Sequence, residues 1–307
     1  HADITKIRFE EDPFIGSTLI DVYMKCGSII EAREVFDTLS RHTGISINVL
    51  IAGYTEHGQG HKALHCFERM QCEGVSPNAI TFTCIVKACG SIGLIDKGRD
   101  IHVEIERKGL VDTVICNALV TMYSRCGLLA KAQEVFDKIP VQAVVLWTTL
   151  ISGYVDHGHN EEALVRFNEM QCRRISPNVV TYISALKACS NIRYIRVGQE
   201  LHAAILKRME FLCQDNLPLG NSLVDMYAQC GLLHRAYQTF ESLPVKDVVS
   251  WTAMVTGYVE HGYGVEALKC FEQMQLEGVS PDSVTFTCCL KACGSVQDMK
   301  KGGNIHA

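Results

Sequence analysis

Hydrophobic residues recur along this chain at helical spacing, in short runs separated by polar turns. In "WTTLISGYVDHG", which begins at Trp147, apolar residues repeat every three or four positions, as they do on one face of an α-helix. His157 lies in the last turn, where a partial positive charge suits the helix dipole, and Gly158 can adopt the left-handed conformation that ends many helices. The pattern therefore predicts a helix that ends at these two residues.

A second helical run follows directly. The stretch "EEALVRFNEM" places Ala163, Leu164, Phe167 and Met170 on one face with acids at its start, and "RRISPN" ends the run with Pro177. Two helices of about ten to thirteen residues cannot bury an apolar stripe alone, so they must stack on neighbours. Because no alternating strand pattern competes, the sequence predicts an all-α stack of helix pairs, an α-solenoid.

This helix pair recurs within a long period. Cys26, Cys126 and Cys230 follow one another by 100 and then 104 residues, and four extra residues after His202 account for the difference. Each period contains three related segments, as a repeat array does. The first type spans residues 13–43, 113–143 and 217–247, the second 44–78, 144–178 and 248–282, and the third 79–112 and 179–216, with truncated third-type copies at 1–12 and 283–307.

Composition agrees with a folded chain that has a large core. Of the 307 residues, 47% are hydrophobic and 21% are charged. Most of the fifteen cysteines recur with the repeat, which predicts small buried apolar residues in a reducing compartment. No run of about eighteen apolar residues occurs, so we expect no membrane span. Since "HADI" and "NIHA" open and close the chain at the same point of the repeat, we expect an excerpt of a longer protein, without a transit peptide.

The helix pairs are similar to a known repeat family. The tetratricopeptide repeat shares the Ala-x3-Phe element of Ala163 and Phe167, but its Trp-x2-Leu-Gly-x2-Tyr signature is not matched. The stretch "VVSWTAMVTGYVEHGYGVEALKCFEQMQLEGVSPD", from Val248, closely resembles a pentatricopeptide repeat (PPR). The segment lengths resemble the P, L and S motifs of the PLS class of this land-plant family, with "NSLVDMYAQCG" similar to an S motif and "VTFTCCLKACGS" to an L motif.

By this resemblance the first segment type is an S repeat, the second a P repeat and the third an L repeat. The resemblance covers essentially the whole chain, with truncated L repeats at both ends. It implies a right-handed α-solenoid superhelix of tandem helix-turn-helix PPR repeats.

The resemblance also implies that the chain binds single-stranded RNA, since helical repeats of this kind read one base per repeat with two or three side chains. In the family, the fifth residue of a motif and its last residue contact the base edge together. Amides and hydroxyls can donate and accept hydrogen bonds, whereas a carboxylate only accepts. The corresponding pairs are Ser17 with Thr43, Asn48 with Asn78, Thr83 with Asp112, Asn117 with Ala143, Thr148 with Asn178, Ile183 with Asn216, Asn221 with Asp247, and Thr252 with Asp282.

The family's code assigns bases to four of these pairs. Thr/Asn resembles an adenine reader, Thr/Asp a guanine reader, Asn/Asp a uracil reader and Asn/Asn a pyrimidine reader. From 5′ to 3′ the array then reads an open base, a pyrimidine, an L position, an open base, A, an L position, U and G. The S pairs that begin with Ser17 and Asn117 depart from the usual combinations, and the L pairs are weaker readers.

Two further family positions carry over to this chain. The second residue of each motif inserts between successive bases, and apolar contact with base faces holds an unstacked strand without choosing its sequence. These residues are Phe14, Ile45, Ile80, Val114, Val145, Val180, Pro218, Val249 and Val284. Lys25 and Arg125 occupy the thirteenth position of two S repeats, where a phosphate contact is expected, while the third S repeat has Gln229.

Other interpretations of these positions stay open. On periodicity alone, the β-branched second residues are more typical of helix starts or of packing between repeats, and only the family resemblance favours base contact. Thr and Asn at the fifth position are also typical N-terminal capping residues. The equivalent residues Trp147, Trp251 and Ile47 are predicted to pack in the core rather than to stack on bases.

Catalysis has little support in the sequence. "HVE", at His102 to Glu104, has the His-x-Glu spacing of a zinc deaminase, but the Cys-x-x-Cys pair that completes such a site occurs nowhere. Its repeat equivalents are "HAA" at His202 and "HAD" at His1, which favours a packing role. We therefore expect no catalytic residue, metal, cofactor or small-molecule substrate. The net charge of −5 opposes bulk attraction to RNA, so we expect binding that relies on base contacts.

The resemblance implies a specificity array of a mitochondrial or chloroplast factor for cytidine-to-uridine RNA editing, with any deaminase in an absent C-terminal domain or a partner. Accessory editing factors are expected at the L repeats. The alternatives are RNA stabilisation or splicing without editing, and a scaffold whose groove holds a peptide. A metalloenzyme would require stoichiometric zinc.

Overall fold

A computed structural model describes residues 12–39, 41–208 and 216–296, and its regular elements in these ranges are all helices. The predicted 1–12 segment, apart from Asp12, the end of the 283–307 segment, and residues 209–215 of the segment that carries the four-residue insertion lie outside them. The helices are α1 (Pro13–Lys25), α2 (Ile29–Thr38), α3 (Gly44–Glu56), α4 (Gly60–Cys72), α5 (Ala79–Ile92), α6 (Ile95–Arg107), α7 (Thr113–Arg125), α8 (Leu129–Asp137), α9 (Val144–Asp156), α10 (Asn160–Cys172), α11 (Val179–Asn191), α12 (Ile195–Arg208), α13 (Leu217–Gln229), α14 (Leu233–Glu241), α15 (Val248–Glu260), α16 (Gly264–Leu276) and α17 (Ser283–Val296).

The chain forms two compact units, residues 1–153 and 154–307, with the boundary inside α9. In the first unit, α1 packs against α2 and α3, α3 against α4 and α5, and α5 against α6 and α7. In the second unit, α11 packs against α12 and α13, α13 against α14 and α15, and α15 against α16 and α17. Each odd-numbered helix in these series thus contacts its hairpin partner and the odd-numbered helix of the next hairpin, which buries the apolar stripe that a single pair leaves open.

Short turns after the helices allow the next helix to fold back. α9 ends at Asp156, one residue before His157, and Gly158 has a φ of 82°, in the left-handed region that glycine adopts without a steric penalty. The nitrogen of His159 donates to the carbonyl of Tyr154 over a distance of 2.9 Å, which closes the turn. The left-handed glycine that the sequence predicts therefore ends this helix.

Aromatic contacts join each hairpin to the next one. In the first unit, the rings of Phe136 and Trp147 meet edge to face with centroids 4.7 Å apart, and in the second unit Phe240 and Trp251 meet similarly at 4.6 Å. Trp147 is fully buried, and Trp251 and Ile47 are nearly so. The prediction that these three residues pack in the core is confirmed.

The histidines of the "HVE" and "HAA" stretches also join neighbouring helices. His102 Nδ1 lies 2.8 Å from the hydroxyl of Tyr123, and His202 Nδ1 lies 2.8 Å from the hydroxyl of Tyr227. Burial lowers the pKa of both histidines. These contacts fix the second helix of a third-type segment against the first helix of the first-type segment that follows it, as the packing interpretation predicts; His1 lies outside the described residues.

The cysteines only partly follow the sequence prediction. Cys89, Cys189 and Cys293 are buried, and burial raises the pKa of Cys89 to about 11 and of Cys189 to about 12. For Cys26 the prediction of burial is wrong, because this residue follows the last residue of α1 and its side chain is exposed. The fourteen cysteines within the described ranges are free thiols.

Within the same ranges, the helices lack the length and apolar character that crossing a membrane requires.

The close approach of α15 to α13 depends on a glycine, which generates a stability prediction. A Cβ at Gly257 would lie 2.6 Å from the Cβ of Ala228, whereas a Cβ at Gly294, inside α17, meets no atom within 4 Å. Gly257→Ala should therefore lower the free energy of unfolding by about 1–3 kcal/mol through overpacking. Gly294→Ala is the matched control and should raise the free energy by about 0.5–1 kcal/mol, because alanine loses less backbone entropy in a helix. Urea denaturation measures both, and equal effects would contradict the packing described.

Candidate nucleic-acid interface

The second residues of the repeats lie in the first turn of the odd-numbered helices, and all are exposed. The eight apolar side chains other than Pro218 range from 52% exposed at Val284 to 78% at Phe14. More than half of each of these side chains is exposed, which disfavours the alternative that they pack between repeats. A regular series of exposed apolar side chains at the helix starts is available to contact a ligand.

The fifth residues lie in the second turn of the same helices. Ser17, Asn48, Thr83, Thr148 and Asn221 are buried, while Asn117, Ile183 and Thr252 are half-buried. None of them occupies a cap position, so the capping alternative is wrong for the fifth position.

Helix capping is instead performed by the terminal residues of the segments. Asn78 Oδ1 accepts a hydrogen bond of 3.0 Å from the Thr81 nitrogen, and Asp247 Oδ1 accepts one of 2.9 Å from the Ser250 nitrogen. The other terminal side chains that cap the next odd-numbered helix are Thr43, Asp112, Asn178, Asn216 and Asp282. Ala143 has no polar side chain and contributes only its carbonyl. A terminal residue is therefore fixed by the helix that it starts.

Two of the predicted pairs are directly hydrogen-bonded. Asn48 Nδ2 donates to Asn78 Oδ1 over 3.3 Å, and Asn221 Nδ2 donates to Asp247 Oδ1 over 3.0 Å. The Asn221 carbonyl oxygen is buried and has no donor within the described part of the chain. A buried acceptor without a donor is costly.

The pair of Thr252 and Asp282 is joined through a third residue. Thr252 Oγ1 lies 2.6 Å from Thr285 Oγ1, and Thr285 Oγ1 lies 2.7 Å from Asp282 Oδ1. Thr81 similarly contacts both Asn48 and Asn78. Sequence reasoning missed these third residues of the following helix. The available signal was a hydroxyl residue three positions after a capping residue, which is the spacing of a capping box.

The remaining pairs differ in what their side chains contact. The hydroxyls of Thr83 and Thr148 donate to the carbonyls of Ala79 and Val144, one turn back in their own helices, over 2.8 Å in each case. Ile183 offers no polar group. Thr148 belongs to the first unit and its predicted partner Asn178 to the second. Of the other predicted terminal partners, Thr43 takes part in a capping box with Ser46, and the side chains of Asp112 and Asn216 accept from backbone nitrogens.

Several predicted residues of different roles converge on shared pockets. In the first unit a pocket of about 280 Å³ is lined by the predicted reading pair Asn48 and Asn78, the apolar Ile45 and Ile80, and Lys25. A second pocket in this unit, of about 480 Å³, includes Val114, Asn117 and Arg125 among its lining residues. In the second unit Pro218, Asn221, Asp247 and Val249 line a pocket of about 770 Å³.

The charges around these pockets are mixed. Lys25 forms an exposed ion pair of 2.7 Å with Asp21. In the second unit Lys187 pairs with Asp156 at 3.0 Å, and Arg193 Nη2 lies 3.6 Å from Glu260. Lys187 belongs to a recurring "KAC" stretch and lines the pocket of the second unit, which the sequence did not predict. Because acids neutralise these cations, bulk attraction to a phosphate backbone is weak at these points.

Asp225, which lines the pocket of the second unit, has a carboxyl group with a raised pKa. Asp225 is half-buried and accepts a hydrogen bond of 2.9 Å from the hydroxyl of Ser190. Burial raises the pKa of the Asp225 carboxyl above its ordinary value, and the charge of Glu260 adds to the rise, although the hydrogen bond from Ser190 opposes it. The folded protein thus holds a destabilised negative charge inside the pocket at neutral pH.

This charge predicts a pH-dependent stability difference. Since the folded pKa of Asp225 is raised, its contribution to stability falls as the pH rises through that pKa. Asp225→Asn should therefore raise the thermal unfolding midpoint by a few degrees at pH 7, and the gain should shrink as the pH approaches about 4, the ordinary value for aspartate.

Asp21 occupies the same position in the first segment of this type but is paired with Lys25, so Asp21→Asn is the matched control and should give no gain. A gain for Asp225→Asn that is the same at every pH would contradict the electrostatic cause.

Comparison with known families agrees with this architecture. The PPR repeat family matches residues 43–91, 142–191 and 246–295, and the single PPR repeat matches residues 17–42, 80–110, 114–141 and 221–248. The fold is similar to the crystal structure of the pentatricopeptide repeat protein PPR10 in complex with an 18-nucleotide psaJ RNA element. That likeness has a TM-score of 0.81 at 17% identity and covers 99% of this chain and 46% of PPR10.

Curated relatives in Arabidopsis thaliana are more similar in sequence. A chloroplastic pentatricopeptide repeat-containing protein is 36% identical over 298 residues, which cover 97% of this chain and 48% of that protein. A mitochondrial pentatricopeptide repeat-containing protein is 33% identical over 302 residues, which cover 98% of this chain and 44% of that protein. The chain thus spans about half the length of the curated relatives it matches. From its helix pairs and these matches, the chain belongs to the PPR repeat family of plant proteins.

Proposed function

We propose that this chain binds single-stranded RNA in a sequence-specific manner, at one base per repeat. The observation that carries the proposal is the pocket where Ile45, Ile80, Asn48, Asn78 and Lys25 converge. Exposed apolar side chains suit base faces, paired amides suit base edges, and a cation suits a phosphate. One pocket therefore offers the three kinds of contact that an unstacked nucleotide requires.

The second unit supports the same function. Asn221 and Asp247 line a pocket together with the exposed Val249. The buried Asn221 side-chain oxygen accepts no hydrogen bond from the described residues. A base with an N–H on its edge can supply that donor after a small rearrangement, which removes the cost of an unsatisfied acceptor. Uracil has such an N–H, in agreement with the base that the family's code assigns to this pair.

The comparisons suggest a cellular setting. PPR10 was crystallised with an RNA element, and several relatives are named chloroplastic or mitochondrial. We place this chain in one of these organelles, as part of a longer protein of the PLS class. Its role there is to specify the site of cytidine-to-uridine editing. The array itself does no chemistry, the deaminase lies in another domain or a partner, and accessory editing factors dock on the L repeats.

The mixed charges affect how such a complex would respond to salt. Each phosphate neutralised by a protein cation adds to the slope of log affinity against log salt. Lys25 also pairs with Asp21, and Lys187 with Asp156, so a phosphate must compete with these acids for the two cations. We expect a shallow salt dependence and a large share of base-specific affinity.

The first experiment is selection from a random single-stranded RNA pool, with a random DNA pool in parallel at the same moderate salt concentration. Enrichment of RNA with A, one spacer, then U and G supports the proposal and fixes the 5′ to 3′ alignment. If the correctly folded protein enriches neither pool, the RNA-binding function is wrong for this chain, and a peptide-binding groove becomes the better explanation.

Exchange of one fifth residue should change the base that is read. Thr252→Asn with Asp282 retained gives the side-chain combination of Asn221 and Asp247, so the preferred 3′ base should change from G towards U. Affinities for four RNAs that differ only at this base measure the change. An equal loss of affinity for all four RNAs would indicate a structural role for Thr252.

Removal of one second-position side chain should weaken binding without changing specificity. Val249→Ser removes an exposed apolar contact, so affinity for every RNA should fall by roughly the same factor, about five- to tenfold, since a base-stacking contact is worth about 1–3 kcal/mol. The control is Val245→Ser, at an exposed valine outside the second position, which should leave affinity unchanged. Thermal unfolding midpoints should stay constant, and a large drop for Val249→Ser would favour a packing role instead.

A further inference from the structure

Thr285 contacts both members of the proposed reading pair of Thr252 and Asp282. It is the third residue of α17 and is fully buried. Its hydroxyl oxygen lies 2.6 Å from Thr252 Oγ1 and 2.7 Å from Asp282 Oδ1, and its backbone nitrogen donates to the same carboxylate oxygen over 2.8 Å. One side chain from the next repeat thus connects both members of the pair.

The direction of these hydrogen bonds follows from the number of available protons. An ionised carboxylate only accepts, so the contact with Asp282 uses the single hydroxyl proton of Thr285. Hydrogen bonds from Thr285 lower the pKa of the Asp282 carboxyl, which keeps it ionised. The oxygen of Thr285 must then accept the proton of Thr252. Thr252 has no proton left for a ligand and can only accept.

We propose that the third residue of a first helix is a positioning residue, which sets whether the fifth residue of the preceding repeat offers a base a donor or an acceptor. The proposal rests on the RNA-reading function proposed above. At Thr252 and Asp282, Thr285 makes both members acceptors. Such a pair favours a base with two adjacent N–H groups on its edge, which is guanine, and disfavours adenine, whose ring nitrogen N1 needs a donor.

The corresponding residue in the first unit has a different effect because its partners are amides. Thr81 Oγ1 lies 2.6 Å from Asn48 Oδ1, while Asn48 Nδ2 faces Asn78 Oδ1 at 3.3 Å. These two contacts fix which end of the Asn48 amide faces which neighbour. Each end still has a second hydrogen-bonding site, so Asn48 can offer a base one donor and one acceptor.

A serine at the third position behaves differently. The hydroxyl of Ser250 donates to the backbone carbonyl of Asp247 over 2.9 Å, and the Asn221 oxygen has no donor within the described residues. Serine lacks the methyl group that restricts the side-chain torsion of threonine. Thr81 and Thr285 thus contact the fifth residue of the preceding repeat through their hydroxyls. Ser250 does not make this contact, and Asn221 and Asp247 hydrogen-bond directly to each other.

The test compares two variants at two bases of the same RNA. Thr285→Val removes the hydroxyl at similar volume and should affect only the 3′ base, opposite Thr252. Thr81→Val should affect only the base opposite Asn48. Thr239→Val is the control, because this half-buried hydroxyl on α14 donates to the Arg235 carbonyl of its own helix and lies outside the proposed reading pairs. Affinities of the wild type and each variant are measured for RNAs with each of the four bases at either position.

We expect the wild type to prefer G over A at the 3′ base by about tenfold or more, as one well-placed base contact allows. In Thr285→Val, Thr252 regains a proton to donate, so the ratio should fall to about threefold or less, mainly through a relative gain for A. The preference at the Asn48 base should stay unchanged. Thr81→Val should change the preference at the base opposite Asn48 and leave the ratio of G to A at the 3′ base unchanged. Thr239→Val should change neither preference.

The outcomes separate the inference from the function on which it rests. If the wild type discriminates bases but Thr285→Val and Thr81→Val lower affinity equally for all RNAs, the third residue is merely structural and the inference is overturned. If the wild type shows no base preference at any position, the RNA-reading function itself fails, and the inference fails with it. Because the two variants lie in different units, a folding defect in one leaves the other as a test.

Discussion

The hydrogen bond between a segment's terminal side chain and the first turn of the next helix positions the proposed reading pairs of Asn48 with Asn78, Asn221 with Asp247, and Thr252 with Asp282. Asn78 illustrates this: it caps α5 through the Thr81 nitrogen and also contacts Asn48, one repeat earlier. A capping residue is held within a narrow range of positions, because its side chain must reach a specific backbone nitrogen. The cap therefore fixes the register between consecutive repeats and the distance between the two members of a pair at once.

This arrangement requires polar side chains inside a helical stack, which is costly unless their hydrogen bonds are satisfied. Asn48 meets the requirement through Thr81 and Asn78, and Thr252 through Thr285. Each hydroxyl in these networks has only one proton to donate, which limits the ways in which the hydrogen bonds can be arranged. Rigid donors and acceptors discriminate between bases better than mobile ones, since a mismatched base cannot be accommodated by rotation of the side chain. In the proposed RNA complex, the polar burial would thus contribute to specificity.

The charges around the pockets, unlike the hydrogen-bonding networks, offer little attraction to a nucleic acid. Lys25, Lys187 and Arg193 all have acidic partners, and Asp225 adds a half-buried negative group. Non-specific binding to nucleic acids depends mainly on free cations, so this surface disfavours it. Specific contacts with base edges are less affected by salt and by neighbouring acids. A weakly attractive surface with well-ordered base contacts favours selectivity over affinity.

The sequence by itself determined the helix pairs, the family and the burial of Trp147 and Trp251, because helical periodicity and repeat register are local properties of the chain. It also located the residues of the proposed pairs, although their RNA contacts stay predictions. Only the tertiary structure decided that Thr285 bridges Thr252 to Asp282, that Cys26 is exposed, and that Asp225 contacts Ser190 whereas Asp21 pairs with Lys25. These features depend on contacts between residues about thirty positions apart, or on how a helix end faces its neighbours. Residue type and spacing do not specify them, because the same residue at the same repeat position meets different partners in the folded stack.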